Sequence, residues 1–278
     1  MRRLTVAFLV LAAACGGGHS AAQLIARAPA AAAARGSARV SLETIVRFGE
    51  LGQSFESITR GEGIEELAGR RRGHVTLTVT TNPASGARLL PCEMESEGTV
   101  LYVKTPRGPS GKLWASVDTA KIAGVDPSAL SANPTAQLDY LKTAGTVRTL
   151  GRDEVRGARA THYRYTVKVD QLMSKLSSNG REQMRAALRQ LHISSFPLDV
   201  WIDGDGLPRR IAFDWKSTNQ GATLDIATRI DTYDYGTKVD VALPTPSDVK
   251  PTNQPAAAFA ECFGARAGSI AGAPTSGR

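Results

Sequence analysis

Apolar and polar positions alternate through the centre of the chain. Between residues 158 and 169, Tyr163, Tyr165 and Val167 share one parity, while His162 and Arg164 fall on the other. A period of two with aromatic and β-branched residues is typical of a strand with one apolar face and one solvated face. The same alternation, punctuated by turn residues, predicts further strands at 75–79, 88–95, 99–105, 113–117, 146–150, 198–202, 209–216 and 222–235.

Other stretches carry helical spacing. Apolar residues from Leu42 to Ile58 recur at intervals typical of a helix, and Ser41 suits the N-cap, so we expect an amphipathic helix there. Shorter helical patterns lie at 118–123, 137–142, 170–176 and 181–191. About ten strands joined mostly by turns, with a few helices, indicate an α+β fold with an antiparallel sheet. Four prolines, at 244, 246, 251 and 255, should end the sheet, which leaves residues 249–278 as a loose Pro/Ala-rich tail with a helical pattern around 256–263.

The N-terminus has the features of an export signal. Two arginines precede an apolar run over residues 4–14, which is shorter than the roughly 20 residues that span a bilayer. The small residues before Cys15 resemble a bacterial lipobox, in which the cysteine is diacylated; the alternative is an ordinary cleaved signal with an incidental cysteine. We therefore expect a signal peptide at 1–14, lipidation of Cys15 on the extracytoplasmic face of the plasma membrane, and a flexible tether over 15–39, with a partly helical alanine tract as the alternative.

Composition and cysteine count limit the function classes. The net charge is +8, but the basic residues are spread along the chain without interleaved aromatics, which argues against a nucleic-acid partner. Beyond Cys15 the chain has only Cys92 and Cys262. In an oxidising compartment they could form a disulfide that closes a loop of about 170 residues, and the sequence leaves this bridge and two unpaired thiols equally open.

Sequence motifs of catalysis are missing. The four histidines, at 19, 74, 162 and 192, have no metal-ligand spacing, and no Gly-x-Ser-x-Gly occurs. Residues 108–112 lack the first glycine and the Ser/Thr of a phosphate loop, and residues 203–206 lack the later acids of a calcium loop. We therefore expect no metal, no cofactor and no enzymatic activity, although an active site can lack a linear motif.

Several dispersed segments, in order along the chain, resemble one group of proteins. They lie at 141–147, 151–157, 161–164, 200–210 and 233–244. These segments are similar to the LppX/LprA/LprF/LprG lipoproteins of mycobacteria and related actinobacteria, over about residues 40–248. The resemblance implies a half-barrel like the carrier LolA: a strongly bent antiparallel sheet, helices across its concave face, and an apolar cavity between them for acyl chains.

The resemblance also implies which residues line that cavity. The inward-facing candidates are Val79, Leu101, Val103, Val117, Tyr165, Val200, Phe213 and Ile226. A filled core would show the same alternation, so the residues themselves leave cavity and core open. We expect a membrane-anchored lipoprotein that binds a lipid or lipidated molecule and assists its transport across the envelope, with a membrane transporter as a further partner. Two alternatives stay open: a lipoprotein of this fold that acts through a protein partner without lipid cargo, and an envelope enzyme.

Overall fold

One open antiparallel sheet dominates the chain. The computed structural model describes residues 20–50, 52–82, 89–106, 111–121, 146–168, 194–219 and 221–263. In these ranges twelve strands form the sheet: β1 (Ser37–Glu50), β2 (Gln53–Glu66), β3 (Arg72–Thr81), β4 (Cys92–Glu97), β5 (Val100–Lys104), β6 (Trp114–Asp118), β7 (Val147–Val155), β8 (Ala158–Lys168), β9 (Ser195–Asp203), β10 (Pro208–Asn219), β11 (Ala222–Tyr233) and β12 (Val249–Pro251). The described helices are α1 (Ala21–Ala34) and α2 (Pro255–Cys262), with 3-10 turns at Thr119–Lys121 and Pro246–Asp248.

The strand order makes the sheet a half-barrel. It runs β12-β6-β5-β4-β3-β2-β1-β11-β10-β9-β8-β7, so that β12 and β7 are free edges and the sheet does not close. The pairing of β12 with β6 is parallel, and the other described pairings are antiparallel. The predicted α+β half-barrel is confirmed, with twelve strands in place of about ten.

The longest hairpin stands where a helix was expected, so the prediction for 41–58 is wrong. Residues Ser37–Glu50 and Gln53–Glu66 are strands that pair along their full length, joined through Gly52 in the left-handed region. The run Thr44-Ile45-Val46 is β-branched, which suits a strand, and β1 lies mid-sheet with a neighbour on both sides. Pairing of β1 with β11, distant in sequence, outweighs the helix-like spacing of its apolar residues.

The segment before β1 is a packed helix, so for residues 21–34 the flexible tether is wrong and the alternative, a helical alanine tract, is confirmed. Ser20 caps α1: its hydroxyl accepts from the Gln23 backbone N–H, and the Gln23 side chain accepts from the Ser20 backbone. Ile25, Ala28 and Ala32 are buried against the sheet. Alanine favours helix and its small side chain allows close approach to the strands.

The region after Pro244 is also structured, so a loose tail is wrong for residues 249–263. β12 pairs with β6 as an edge strand, with Pro251 at its end, where no ladder donor is required. The helical pattern around 256–263 is confirmed as α2. Cys262 at its end is bonded to Cys92 in β4, with Cα atoms 5.2 Å apart, which resolves the open question of the two thiols in favour of the bridge.

Two glycines in β2 bring neighbouring strands unusually close. A Cβ at Gly61 would lie 2.5 Å from Leu77 Cδ2, and one at Gly63 would collide with the His74 carbonyl oxygen. Side chains of β3 therefore lean over β2, as expected where a sheet bends. The pattern at 118–123 corresponds to the 3-10 turn at Thr119–Lys121, and the helices expected at 137–142, 170–176 and 181–191 lie outside the described residues.

Candidate ligand-binding face

The strand register gathers the apolar residues on one face of the sheet. Registered pairs run from Tyr163–Val200 through Val200–Ile211 and Ile211–Ile230 to Ile230–Leu42. Because residues opposite each other in a sheet share a face, these side chains project to the same side. We call it the inner face, and α1 and α2 both pack on it.

All eight candidate cavity residues lie on the inner face. The register continues from Leu42 to Gly61, Leu77 and Cys92, and further to the β5 and β6 candidates. Four of the eight are fully buried and four are partly buried: the first four are Val103, Val117, Tyr165 and Val200, and the second four are Val79, Leu101, Phe213 and Ile226. Their shared face is thus established, and ligand contact by any of them stays a prediction.

Two large hydrophobic clusters lie on the inner face, beside a small third cluster of Ala32, Ala38 and Leu67. The α1 cluster joins Ile25 and Ala28 to buried residues of β8, β9 and β10. The α2 cluster joins Ala258, Cys262 and Phe263 to buried residues of β3 to β6 and to Val40. A domain usually has one contiguous core, so among the described residues the separation of the two large clusters leaves a distinct zone between them.

The middle strands form that zone. Val46, Trp215 and Ile226 are apolar, face inward and are only partly buried, and they belong to neither cluster. The apolar surface continues to the tip of the β1–β2 hairpin, where Phe48 lies opposite Phe55 and Leu224. Phe55 is 38% exposed, so the inner face is accessible at this end.

One acidic residue interrupts the apolar inner face. Glu65 lies between Ala38 of β1 and Gly73 of β3 in the register, yet it is only 5% exposed. A Cβ on Gly73 would lie 2.7 Å from its Cδ and both carboxyl oxygens, so the carboxyl group rests directly over that glycine. Burial raises the pKa of Glu65 to about 8.

Glu65 was not among the residues predicted from the sequence. The signal is present: within β2, Gly61, Gly63 and Glu65 share the inward parity, and a glutamate at an inward position is unusual. This parity was not recognised because the preceding residues, from Leu42 to Ile58, were predicted to form a helix.

The outer face of the sheet is charged and carries many ion pairs, although Glu95 Oε2 and His162 Nε2 are buried there without a hydrogen-bond partner among the described residues. Asp231 accepts hydrogen bonds from Arg210 Nε at 2.6 Å and Nη2 at 2.8 Å, and from Arg156 Nε at 3.2 Å. Burial acts to raise the pKa of Asp231, but these arginine hydrogen bonds outweigh it and lower that pKa below its ordinary value. Next to this network the rings of His162 and Trp201 stack with centroids 4.0 Å apart.

The described part of the chain offers no cluster of three or more His, Cys, Asp or Glu side chains suited to a metal ion. Among the described helices, none is long and apolar enough to cross a membrane. Cys15 lies outside the described residues.

Comparison with known proteins gives one partial sequence relative. No family model matches the chain. An uncharacterized 31.2 kDa protein from the rplA-rplJ intergenic region of Streptomyces griseus is 30% identical over 151 residues, which are 50% of this chain and 48% of that protein. The match therefore spans about half the length of this relative.

Solved structures of similar arrangement include lipoproteins. LprF from Mycobacterium bovis is 14% identical, with 81% of this chain and 96% of that one covered and a TM-score of 0.44. The Mycobacterium tuberculosis lipoprotein LppX is 15% identical, with 79% and 98% covered and a TM-score of 0.40. Since both scores are below 0.5, the fold described above rests on the strand pairing of the chain itself. The chain is similar to two members of the mycobacterial lipoprotein group that its sequence resembles.

Proposed function

We propose that this protein is an exported, membrane-anchored lipoprotein that binds a lipid or lipidated molecule on its inner face and assists its transport across the cell envelope. The observation that carries the proposal is the partly buried apolar zone between the α1 and α2 clusters. Acyl chains placed along Val46, Trp215 and Ile226 would join the two clusters into one continuous apolar interior.

The energy of binding would come from apolar burial. Each methylene removed from water contributes about 0.8 kcal/mol, so an acyl chain of ordinary length supplies several kcal/mol after its ordering cost. The open rim at Phe55 would admit the chain lengthwise between strands and helices. No chemical step on the ligand is part of this proposal.

Anchoring through Cys15 would hold the sheet close to the bilayer. Five residue steps separate Cys15 from Ser20, where the packed helix α1 is capped. At no more than about 3.6 Å per residue, the helix start would lie within about 18 Å of the acylated cysteine. The half-barrel would therefore exchange lipid near its own membrane rather than at the end of a long tether.

Native mass spectrometry of the full chain carrying Cys15→Ala, exported from an actinobacterial host and purified without detergent, tests the proposal. We expect a co-purifying lipid that organic solvent extracts. Ile226→Trp fills the zone between the clusters and should abolish the lipid-bound mass, whereas Lys216→Trp, an exposed outer-face position on β10, should preserve it.

A clean ligand-free mass that persists after incubation with extracted envelope lipids would overturn the proposal. Equal lipid-bound fractions for the two tryptophan variants would also contradict the proposal, because only a substitution on the inner face should reduce lipid binding. In either case the same fold acting through a protein partner would become the leading interpretation.

A further inference from the structure

We propose that Glu65 is the polar anchor of the inner face, where its carboxyl group hydrogen-bonds an uncharged hydroxyl or carbonyl group of the ligand and disfavours anionic head groups. This inference rests on the proposed lipid binding and adds a preference for one class of lipid. It concerns a single buried side chain that the packing of the sheet leaves without a partner.

The position of Glu65 is built by its neighbours. Ala38 and Gly73 flank it across β1 and β3, and their small size leaves room for a carboxyl group on a face otherwise filled by large apolar side chains. Ser96 of β4 lies opposite Gly73 and continues the same row of inward positions. Glu65 and Ser96 thus form a small polar patch within the apolar inner face.

Hydrogen bonding leaves the carboxyl group unsatisfied. Among the described residues no donor is found for it, and burial is the one cause of its raised pKa, although Glu65 is only 5% exposed. Buried polar side chains in proteins nearly always have a partner, and an unpaired one lowers the stability of the fold. Asp231 is equally buried but is bonded to two arginines, so the two acids differ in pairing and not in burial.

The surroundings also decide which ligand groups fit. In the part of the chain that the structure describes, the neighbours of Glu65 on its own face are uncharged: Ala38, Leu67, Gly73 and Ser96. Arg72 and His74 flank Gly73 but project to the outer face, where they approach Glu97 and Glu95. Tyr235, beside Leu67 and Ala32 under α1, donates its hydroxyl to the Pro208 carbonyl.

An uncharged ligand group therefore suits this site. Burial raises the pKa of Glu65 to about 8, so the carboxyl group is mostly protonated at neutral pH and can both donate through its O–H and accept through its carbonyl oxygen. A hydroxyl or ester carbonyl of a lipid would match it. A phosphate would bring a negative charge into an apolar place without a cation, next to a group that becomes an anion as pH rises.

Two probes with the same acyl chains test this preference. Dioleoylglycerol carries a hydroxyl and dioleoylphosphatidic acid carries a phosphate, and competition for the delipidated full-chain Cys15→Ala protein is read by native mass spectrometry at pH 6.5. We expect dioleoylglycerol to bind about tenfold more tightly, the size of one buried hydrogen bond. Glu65→Leu should remove this advantage, whereas Glu65→Gln, which keeps a donor and an acceptor, should retain it.

Raising the pH to 9 separates a binding role from a packing role. Binding of dioleoylglycerol to the wild-type protein should weaken several-fold as the carboxyl group of Glu65 ionises. The Glu65→Gln variant should bind dioleoylglycerol equally well at both pH values. Glu62→Gln, on the outer face of the same strand, is the matched control and should behave like the wild type. If Glu65→Leu fails to fold, the comparison of Glu65→Gln with the wild type across pH still decides the matter.

Equal binding of the two probes, together with a wild-type affinity that does not change with pH, would overturn the anchor role of Glu65 while leaving lipid binding intact. Failure of the folded wild-type protein to bind either probe or any extracted envelope lipid would instead overturn the proposed function itself.

Discussion

Two buried carboxyl groups show how differently the two faces of this sheet are built. Glu65 on the inner face and Asp231 on the outer face are 5% and 6% exposed. Asp231 accepts three hydrogen bonds from arginines, and its pKa is lowered, whereas Glu65 has no such partner and burial raises its pKa to about 8. Burial is the same and pairing differs, so pairing decides which form of each acid is stable.

The difference extends beyond these two residues. The outer face is held by ion pairs and ring contacts between its own side chains, such as Arg164 with Asp199 and His162 with Trp201. On the inner face two helices cover separate clusters, and a disulfide fixes one of them. Ion pairs dominate the outer face, although Glu95 Oε2 and His162 Nε2 are buried there without a hydrogen-bond partner in the described ranges. Among the described residues, the inner face has the partly buried apolar zone and the unpaired acid that the proposed ligand would complete.

Removal of the disulfide should have the largest effect, and it should act on the inner face. The bridge closes a loop across a sequence separation of 170 residues, so Cys92→Ser with Cys262→Ser should lower the free energy of unfolding by about 4 kcal/mol. Urea denaturation followed by circular dichroism measures this, and reductant added to the wild type should give the same shift. An unchanged midpoint would mean that α2 is held by packing alone.

Loss of one arginine should be next in size and should act on the outer face. Arg210→Met leaves Asp231 buried with Arg156 as its one remaining arginine, which should cost about 3 kcal/mol. The matched control is Arg60→Met, whose pair with Glu43 is exposed on the same face and should contribute about 1 kcal/mol or less. Equal losses for the two variants in urea denaturation would contradict the special status of the Asp231 network.

The sequence predicted most of the sheet because alternation is a local signal. Residues 75–79 and 158–168, for instance, lie in β3 and β8, where strict alternation matches one apolar and one polar face. The β1–β2 hairpin was mistaken for a helix because Ile45, an apolar residue at an outward position next to Val46, interrupts the alternation of β1 and gives its apolar residues a helix-like spacing. Its pairing partners, β2 and the distant β11, are fixed by tertiary contacts that spacing does not reveal.

The candidate site was predictable in part for the same reason. The resemblance implied the eight candidate residues as inward-facing positions of their strands, and the register places them on one face, Val79 and Phe213 among them. Parity says nothing of which positions the helices cover, and Val200 and Tyr165 proved to be buried under α1. Prediction of the Glu65 site from the sequence would have required both the assignment of β2 as a strand and the knowledge that the small residues Ala38 and Gly73 lie beside it.

Replacement of Glu65 should give the smallest of these changes in stability and the sharpest test of the contrast between the faces. The folded-state pKa, about 8, lies above the ordinary value of 4.5, so between these pH values the folded protein binds more protons than the unfolded chain. The contribution of Glu65 to stability is therefore full below pH 4.5 and declines as pH rises towards 8. A shift of this size sets an upper limit of about 5 kcal/mol, and with relaxation and water entry in the folded state we expect about 2 kcal/mol.

Glu65→Gln cannot ionise, so it should match the wild type near pH 5 and exceed its free energy of unfolding by about 2 kcal/mol at pH 9. Urea midpoints of the ligand-free proteins at the two pH values measure the difference, with Glu62→Gln as the outer-face control. Parallel pH curves for Glu65→Gln and the wild type would mean that the carboxyl group is already ionised and stabilised in the fold. The inner face would then resemble the outer one, with its acid satisfied by the protein, and an uncharged ligand group would no longer be needed to complete it.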